Sequence, residues 1–120
     1  MASTYVNNLR LDEMATGDGS GTWGTTTNTN LTLIGEAFGY ATAAIANAST
    51  DTLTIPDGTE TDSEPRAMYL KLTGGGQACT VTLAPNTVSK TWVIDNGTSY
   101  TLTFSQGSGA NVAVSAGQVK

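Results

Sequence analysis

One segment of this chain has the apolar periodicity of an α-helix, and the rest of the chain is organised on either side of it. The segment covers residues 25–46. Its apolar residues recur at alternating spacings of three and four, which is typical of an a/d seam that faces a partner helix. We therefore expect a helix that gathers identical chains around a common axis. The predicted interface residues are Leu31, Ile34, Phe38, Ala41 and Ile45.

Two glycines inside this segment bear on what the helix packs against. Gly35 and Gly39 each cost about 1 kcal/mol of helix propensity relative to alanine, so the helix needs support from packing. Missing side chains let another backbone approach closely, and Ala41 and Ala44 suit a narrow shared axis in the same way. A helix that lies on its own β-domain is the alternative. The small residues favour association between chains.

The chain before the helix is polar and rich in glycine, and it is interpreted as an arm. Gly17, Gly19, Gly21 and Gly24 predict a flexible hinge within residues 1–24. The apolar residues of the arm fit neither the helical nor the strand period, and such a segment usually orders by docking on a partner. We expect it to be disordered in the isolated protein. Its expected contact residues are Tyr5, Val6, Leu9 and Leu11.

The chain after the helix, residues 49–120, alternates between apolar and polar residues, which indicates β-strands. About six short strands are separated by turn sequences at regular intervals. Asn96-Gly97 is the strongest hairpin signal among these turns. The pattern predicts a mainly β fold, in which a small antiparallel sandwich or barrel follows the arm (residues 1–24) and the helix (residues 25–48). We also expect the β-domain to continue beyond residue 120.

Composition and charge exclude several classes of partner. The chain has a net charge of −5 and only five basic residues, so it lacks the cationic surface that neutralises phosphate groups in nucleic-acid complexes. An anionic membrane surface is disfavoured for the same reason. No apolar stretch approaches the length of a membrane span, and the N-terminus lacks the apolar region of a signal peptide. We expect a protein made in the cytoplasm, with no nucleic acid and no membrane as partner.

The residues that usually carry catalysis or hold metals are scarce. The absence of histidine removes the Ser-His-Asp and Cys-His arrangements and most transition-metal sites. Glu60, Asp62 and Glu64 predict an acidic loop, which is more often an exposed loop than a calcium site. Cys79, the single cysteine, alternates with apolar residues and is interpreted as a buried, unreactive thiol. The sequence therefore predicts that the protein is not an enzyme and has no catalytic, cofactor-binding or metal-binding residues.

Aromatic residues leave open a second class of function, because they could stack on sugar rings. Trp92 and Tyr100 fall in alternating strands, where packing is their more common role. A carbohydrate-binding β-module therefore stays an alternative to a structural protein. Its candidate residues are Tyr5, Trp23, Tyr69, Trp92 and Tyr100.

Two stretches carry recognisable motifs. In SGTWGTTTNTNLTLIGEAF, residues Trp23, Gly24, Asn28 and Asn30 match the pattern WG-x-x-x-N-x-N. This stretch resembles a helix start found in tail-fibre and tailspike proteins of tailed bacteriophages. The stretch from residue 69 to residue 120 resembles the β-domain that follows in many such fibres. Its matching positions are residues 72–74, 83–86, 90–96, 100–104 and 109–118.

The resemblance implies a homotrimeric virion fibre located in the phage tail. In that family the N-terminal part anchors the fibre to tail or baseplate proteins of the adaptor or nozzle type, and the distal part binds the host. Residues 1–24 would then be the attachment segment. A capsid head fibre or decoration protein, which is also trimeric, is the alternative. The acidic loop has no counterpart in the family pattern.

Overall fold

The computed structural model describes residues 3–15 and 20–120, which form one α-helix, one short 3₁₀-helix and seven β-strands. Helix α1 covers Trp23–Ala37, and the 3₁₀-helix covers Glu64–Arg66. The strands are β1 Tyr40–Ile45, β2 Thr50–Thr54, β3 Tyr69–Gly74, β4 Cys79–Ala84, β5 Val93–Asn96, β6 Leu102–Ser105 and β7 Val112–Val114.

The strands form two sheets, and the chain changes sheet after every strand up to β6. Sheet 1 has the order β1-β3-β5, and sheet 2 has the order β2-β4-β6-β7. Neighbouring strands are parallel, except that β6 and β7 are antiparallel. The chain therefore winds as a two-sheeted solenoid, in which each rung contributes one strand to each sheet. The molecule measures 49 Å along its longest axis and 25 and 22 Å across.

The structure confirms short alternating strands but not their predicted arrangement. The predicted antiparallel sandwich or barrel is wrong, because most pairs are parallel and no barrel is closed. Successive strands lie in different sheets, so a strand pairs with the strand one rung later: Tyr40 faces Tyr69, and Tyr69 faces Val93. Alternation reports which face of a strand is buried and carries no information on the direction of its neighbour.

The turn after β5 is not the predicted hairpin. Asn96 begins a connection from sheet 1 to sheet 2, and its side chain is fully buried. Its amide nitrogen donates to the carbonyl oxygens of Tyr100 at 2.7 Å and Val114 at 3.0 Å. Its amide oxygen accepts from the backbone N–H and the hydroxyl of Thr98 at 2.9 and 2.6 Å. A buried side chain with every polar atom satisfied therefore fixes this turn.

The apolar side chains of the two sheets point into the space between them and form one core. Their outward neighbours on sheet 2 are hydroxyl residues in register, of which Thr50, Thr80 and Thr103 form one row. Threonine suits these positions because it is β-branched and tolerates water. The core cluster consists of Ala43, Ile45, Leu70, Leu72, Cys79, Val81, Leu83, Ile94, Leu102, Phe104 and Val114.

Helix α1 is shorter than predicted, and this removes two residues from the predicted seam. The helix ends at Ala37, beyond which the backbone N–H of Gly39 donates to the carbonyl of Glu36 at 3.0 Å. Ala41 and Ile45 lie on β1 and pack with the solenoid core. A spacing of four residues fits both the helical period and the two-residue period of a strand. Pairing with β3 decides for the strand here, because intrinsic helix propensity is a weak preference.

The described part of the predicted free arm, residues 3–15, is packed against the body of the protein, which contradicts the predicted disorder. It folds back on itself through two backbone hydrogen bonds between Thr4 and Glu13, at 3.0 and 2.8 Å. The arm lacks a core of its own, as expected, but the body supplies partners for its backbone. Gly17 and Gly19 of the predicted hinge lie outside the described residues.

Candidate interaction surfaces

Helix α1 has two apolar faces, and only one of them is covered by the described part of the chain. Leu33 and Ala37 are buried where the helix meets β1 and the 3₁₀-helix. On the other side Leu31 is 61% exposed, and Phe38, one residue beyond the helix, is 74% exposed. Ile34 is half-buried between these two faces. The structure therefore places Leu31, Ile34 and Phe38 of the predicted seam together, and separates them from the other two members.

The arm is held by a buried arginine that the sequence analysis did not single out. The guanidinium of Arg66 is fully buried and donates to the carbonyl oxygens of Leu9 at 2.8 Å, of Thr59 at 3.0 Å, and of Pro56. Burial lowers the pKa of Arg66, while the nearby Glu36 carboxylate partly opposes that shift. The planar fork of five donors lets one side chain bridge the arm and the loop between β2 and β3.

The second fastening uses a residue of the WG-x-x-x-N-x-N motif. The side-chain amide of Asn30, on helix α1, accepts from the backbone N–H of Asp12 and donates to its carbonyl, both at 3.0 Å. These two hydrogen bonds have the same donor–acceptor arrangement as a hydrogen-bonded pair of residues in neighbouring β-strands, and they link the arm to the helix. The motif gave the signal for Asn30, but it did not say what the side chain binds.

The four predicted attachment residues have different surroundings. The ring of Tyr5 packs beside Gly58, where an added Cβ would lie 2.7 Å from it. Leu9 and Leu11 are half-buried, and Val6 is 76% exposed. Of the four, only Val6 presents most of its side chain to solvent.

The first rung of the solenoid leaves two strand edges unpaired among the described residues. The carbonyls of Gly39 and Ile45 accept from Tyr69 and Gly75, so the odd-numbered residues of β1 point their backbone groups toward β3. The even-numbered residues, Tyr40, Thr42 and Ala44, therefore point theirs away from the sheet. By the same argument the backbone groups of residues 50, 52 and 54 of β2 face the open side.

One carboxylate occupies two of these free N–H groups. Asp51 stands where the register would place a core residue, opposite Val81. Its Oδ2 accepts from the backbone N–H of Ala46 at 2.9 Å, and its Oδ1 accepts from that of Thr52 at 2.9 Å. An inward-pointing charge at the end of a sheet is one of the devices that prevent edge-to-edge association.

A cleft of about 490 Å³ opens beside these edges. Its floor is formed by small and apolar residues of the first rung, including Ala43, Ala44 and Leu53. Asp62 and Glu64 of the acidic loop form part of its rim, and no lysine or arginine of the described residues lines it. The acidic loop, which belongs to the longer of the two connections from sheet 2 to sheet 1, thus overhangs the open end of the solenoid.

The opposite end of the solenoid is covered differently. Strand β7 closes the edge of sheet 2, and Ile94 of β5 exchanges two backbone hydrogen bonds with Lys120 at 2.7 and 2.8 Å. An apolar cleft of about 320 Å³ remains there, lined by Trp92 and Phe104 among others. The indole N–H of Trp92 donates to the carbonyl of Pro65 at 2.7 Å, so this ring is a packing residue.

Two tyrosines form the main exposed aromatic contact on sheet 1. The rings of Tyr40 and Tyr69 stack with centroids 5.1 Å apart. The hydroxyl of Tyr69 donates to the Asp95 carboxylate at 2.9 Å, and this hydrogen bond is the main cause that raises the pKa of Tyr69. Tyr40 is 60% exposed, and among the described residues no strand lies beyond β1.

The described residues hold no cluster of three or more histidine, cysteine or acidic side chains that could bind a metal ion. In the same part of the chain, none of the helices has the length and apolar character needed to cross a membrane. Cys79 is buried in the core, and burial raises the pKa of its thiol.

Comparison with known proteins found no matching family model, no matching curated protein and no matching solved structure.

Proposed function

We propose that the chain is a bacteriophage virion structural protein: the N-terminal, tail-proximal domain of a homotrimeric tail fibre that attaches the fibre to the tail or baseplate. Its role is mechanical rather than enzymatic. The observation that carries the proposal is the uncovered apolar face of helix α1, at Leu31 and Phe38, on an elongated β-solenoid. The motif that resembles phage fibres begins this same helix.

The uncovered face needs a partner for energetic reasons. Full burial of a leucine or phenylalanine side chain contributes about 1.5–3 kcal/mol, and each chain offers both residues together with the half-buried Ile34. In a trimer around one axis this contribution is made three times. Trp23, at the start of the helix and 64% exposed, would extend the same contact. Ala41 and Ile45 take no part, because they lie in the solenoid.

The association state tests the proposal directly. Sedimentation at micromolar concentration should give a trimer for the wild type and monomers for Leu31→Asp and Phe38→Asp, because three carboxylates would meet on one axis. Thr32→Asp is the matched control: Thr32 is exposed one position beyond Leu31, on a different side of the helix, and its variant should stay trimeric. A monomeric wild type, or trimers formed by both charged variants, would contradict the proposed trimer.

Attachment is tested on the particle. Tail adaptor or nozzle-type proteins are the proposed partners, and Val6 is the proposed contact residue of the arm. Val6→Asp should lower the copy number of the protein on particles, whereas Val6→Ala should lower it less. Density for the labelled protein on capsid axes instead of the tail would favour the head-fibre alternative.

A further inference from the structure

We infer that the free edge of β1 is a docking site for an extended, positively charged peptide segment of a partner protein, which adds to sheet 1 as a further strand. This goes beyond the proposed function, because it concerns a different surface from the exposed face of α1 and needs neither a trimer nor a virion. Addition of a strand to an exposed sheet edge is a common mode of peptide recognition.

The backbone of β1 has a row of hydrogen-bonding groups that are free to pair with a further strand. Tyr40, Thr42 and Ala44 point their N–H and C=O groups away from β3, and among the described residues no hydrogen bond is made to any of them. A row of such groups at alternate positions is the template that an incoming strand pairs with. Three residues present up to six backbone hydrogen bonds to a partner.

The edge of β2 is less suitable for strand addition than the edge of β1. The Asp51 carboxylate already accepts from Thr52, the central free N–H of β2, and so interrupts the row of donors there. On β1 the same carboxylate binds only Ala46, which lies beyond the last residue of the strand. The whole length of β1 therefore stays available for pairing.

The cleft beside the edge of β1 is negatively charged. Asp51, Asp62 and Glu64 line the cleft beside Ala43 and Ala44, and no basic side chain does. Arg66, the nearest cation along the chain to this rim, is fully buried and directed at carbonyl groups. A segment with lysine or arginine side chains thus gains attraction from the rim, while an acidic segment is repelled.

The aromatic ring of Tyr40 lies next to the position that an added strand would occupy. Tyr40 stacks on Tyr69 along the direction in which strands are added, so the other face of its ring points to the position of the new strand. Aromatic and β-branched residues form the most favourable cross-strand pairs with an aromatic ring. The preferred segment therefore alternates basic residues with aromatic or β-branched ones.

A synthetic peptide of about ten residues that alternates lysine with valine, with one central tyrosine, is the probe. Fluorescence polarisation should show saturable binding of this peptide to the purified full chain. A version with glutamate in place of lysine should bind at least about tenfold more weakly. Of two versions N-methylated at alternate residues, one at the odd and one at the even positions, the version whose methyl groups face β1 should also bind at least about tenfold more weakly. N-methylation removes backbone donors on one edge and keeps the charge.

Variants of β1 provide the matched pair. Thr42→Pro removes a free-edge N–H without removing a bond to β3, and proline is tolerated at such edge positions. It should lower affinity at least about tenfold, whereas Thr42→Ala should bind like the wild type. Asp62→Asn with Glu64→Gln should weaken binding and reduce its dependence on salt.

Hydrogen exchange on the wild type keeps the inference testable even if Thr42→Pro fails to fold. The peptide should protect the amides of Tyr40, Thr42 and Ala44, which are unpaired in the free protein. Equal binding of both N-methylated peptides and the unmodified peptide, or unchanged exchange at these amides, would overturn the inference. Self-association of the protein that Thr42→Pro abolishes would also overturn the inference, because a second copy of the chain would then be the occupant of the β1 edge. Phe38→Asp should bind the peptide normally, because Phe38 is not part of the β1 edge. Failure of the proposed trimer can therefore be distinguished from failure of this inference.

Discussion

The carboxylate of Asp51 accepts the backbone N–H of Ala46 at 2.9 Å, across the turn that joins the two sheets in the first rung. Together with its bond to Thr52, this lets one side chain interrupt the free edge of β2 and bind the N–H group just beyond the end of β1. Asp51 thus occupies a core position in the register but binds backbone groups, in the first rung, which has no strand on its outer side among the described residues.

Removing this side chain should both destabilise the protein and expose the edge of β2. Asp51→Ala should lower the free energy of unfolding by about 1–2 kcal/mol, because two hydrogen bonds to a partly exposed carboxylate are lost. It should also increase association that depends on concentration. Urea unfolding and light scattering measure the two effects. Asp62→Asn, which keeps a residue tolerant of the positive φ at that position, is the control and should change neither.

Arg66 should matter more than its charge suggests. Arg66→Lys keeps the charge, but one ammonium group cannot bridge three carbonyl groups that lie in two segments, the arm and the loop between β2 and β3. We expect a loss of about 2–4 kcal/mol in the free energy of unfolding and faster proteolysis of residues 3–15. Arg10→Lys should cost at most about 1 kcal/mol, since Arg10 forms a partly exposed ion pair with Asp57. Equal effects of the two substitutions would contradict the role given to Arg66.

Asn96 should tolerate even close substitutes poorly. Asn96→Asp keeps the shape but replaces the donor that binds the carbonyls of Tyr100 and Val114 with an acceptor. We expect a loss of about 3–5 kcal/mol at neutral pH, because a charge is then buried against two carbonyl oxygens. Thermal unfolding measures this. Asn111→Asp, at an exposed position in the turn before β7, should leave the transition nearly unchanged.

The two halves of the predicted seam should respond differently to mutation. Ile45→Ala should reduce stability by about 2–4 kcal/mol without altering the association state, because Ile45 is buried in the solenoid core. Phe38→Ala should leave the stability of the monomer nearly unchanged and weaken association, because its ring is exposed in the single chain. Sedimentation and chemical unfolding of both variants decide between this partition and a continuous helical seam, for which both would weaken association.

Lys90 should give a measurable pH dependence. Its ammonium donates to the carbonyl of Ala67 at 3.3 Å and lies 4.5 Å from the ring of Trp92. Burial, and then repulsion by Arg66, lowers the pKa of Lys90 to about 8 from an ordinary value of 10.5. A base with a lowered folded pKa binds fewer protons when folded, so its contribution to stability rises as pH increases through that window.

The comparison of wild type with Lys90→Met isolates this effect. Between about pH 8 and pH 9.5 the free energy of unfolding of the wild type should rise relative to that of Lys90→Met, and below pH 7 the difference should be constant. The difference also cancels the opposite effect of Tyr69, whose raised pKa removes stability as pH increases above its ordinary range. A flat difference across this range would show that Lys90 is not perturbed.

The sequence by itself determined the period of most segments and therefore which residues are buried. Alternation over residues 66–73 and 79–83 predicted two strands with one apolar face, because burial of that face requires a period of two. The structure has them at Tyr69–Gly74 and Cys79–Ala84. The helix was predicted over residues 25–48, and in the structure it begins two residues earlier, at Trp23, and ends at Ala37. Charge and the lack of histidine restricted the classes of partner and chemistry to be expected.

Only the tertiary structure decided how these segments are paired and capped. Ala41 and Ile45 fit a helix and a strand equally well, and pairing with β3 made them a strand. Strand direction and the attachment of the arm by Arg66 depend on residues that are distant in sequence. The Asp51 carboxylate interrupts the edge of β2 and binds the N–H of Ala46 across the turn between two strands. Local periodicity measures the exposure of one side chain after another. It does not predict which backbone groups form hydrogen bonds with one another in the folded solenoid.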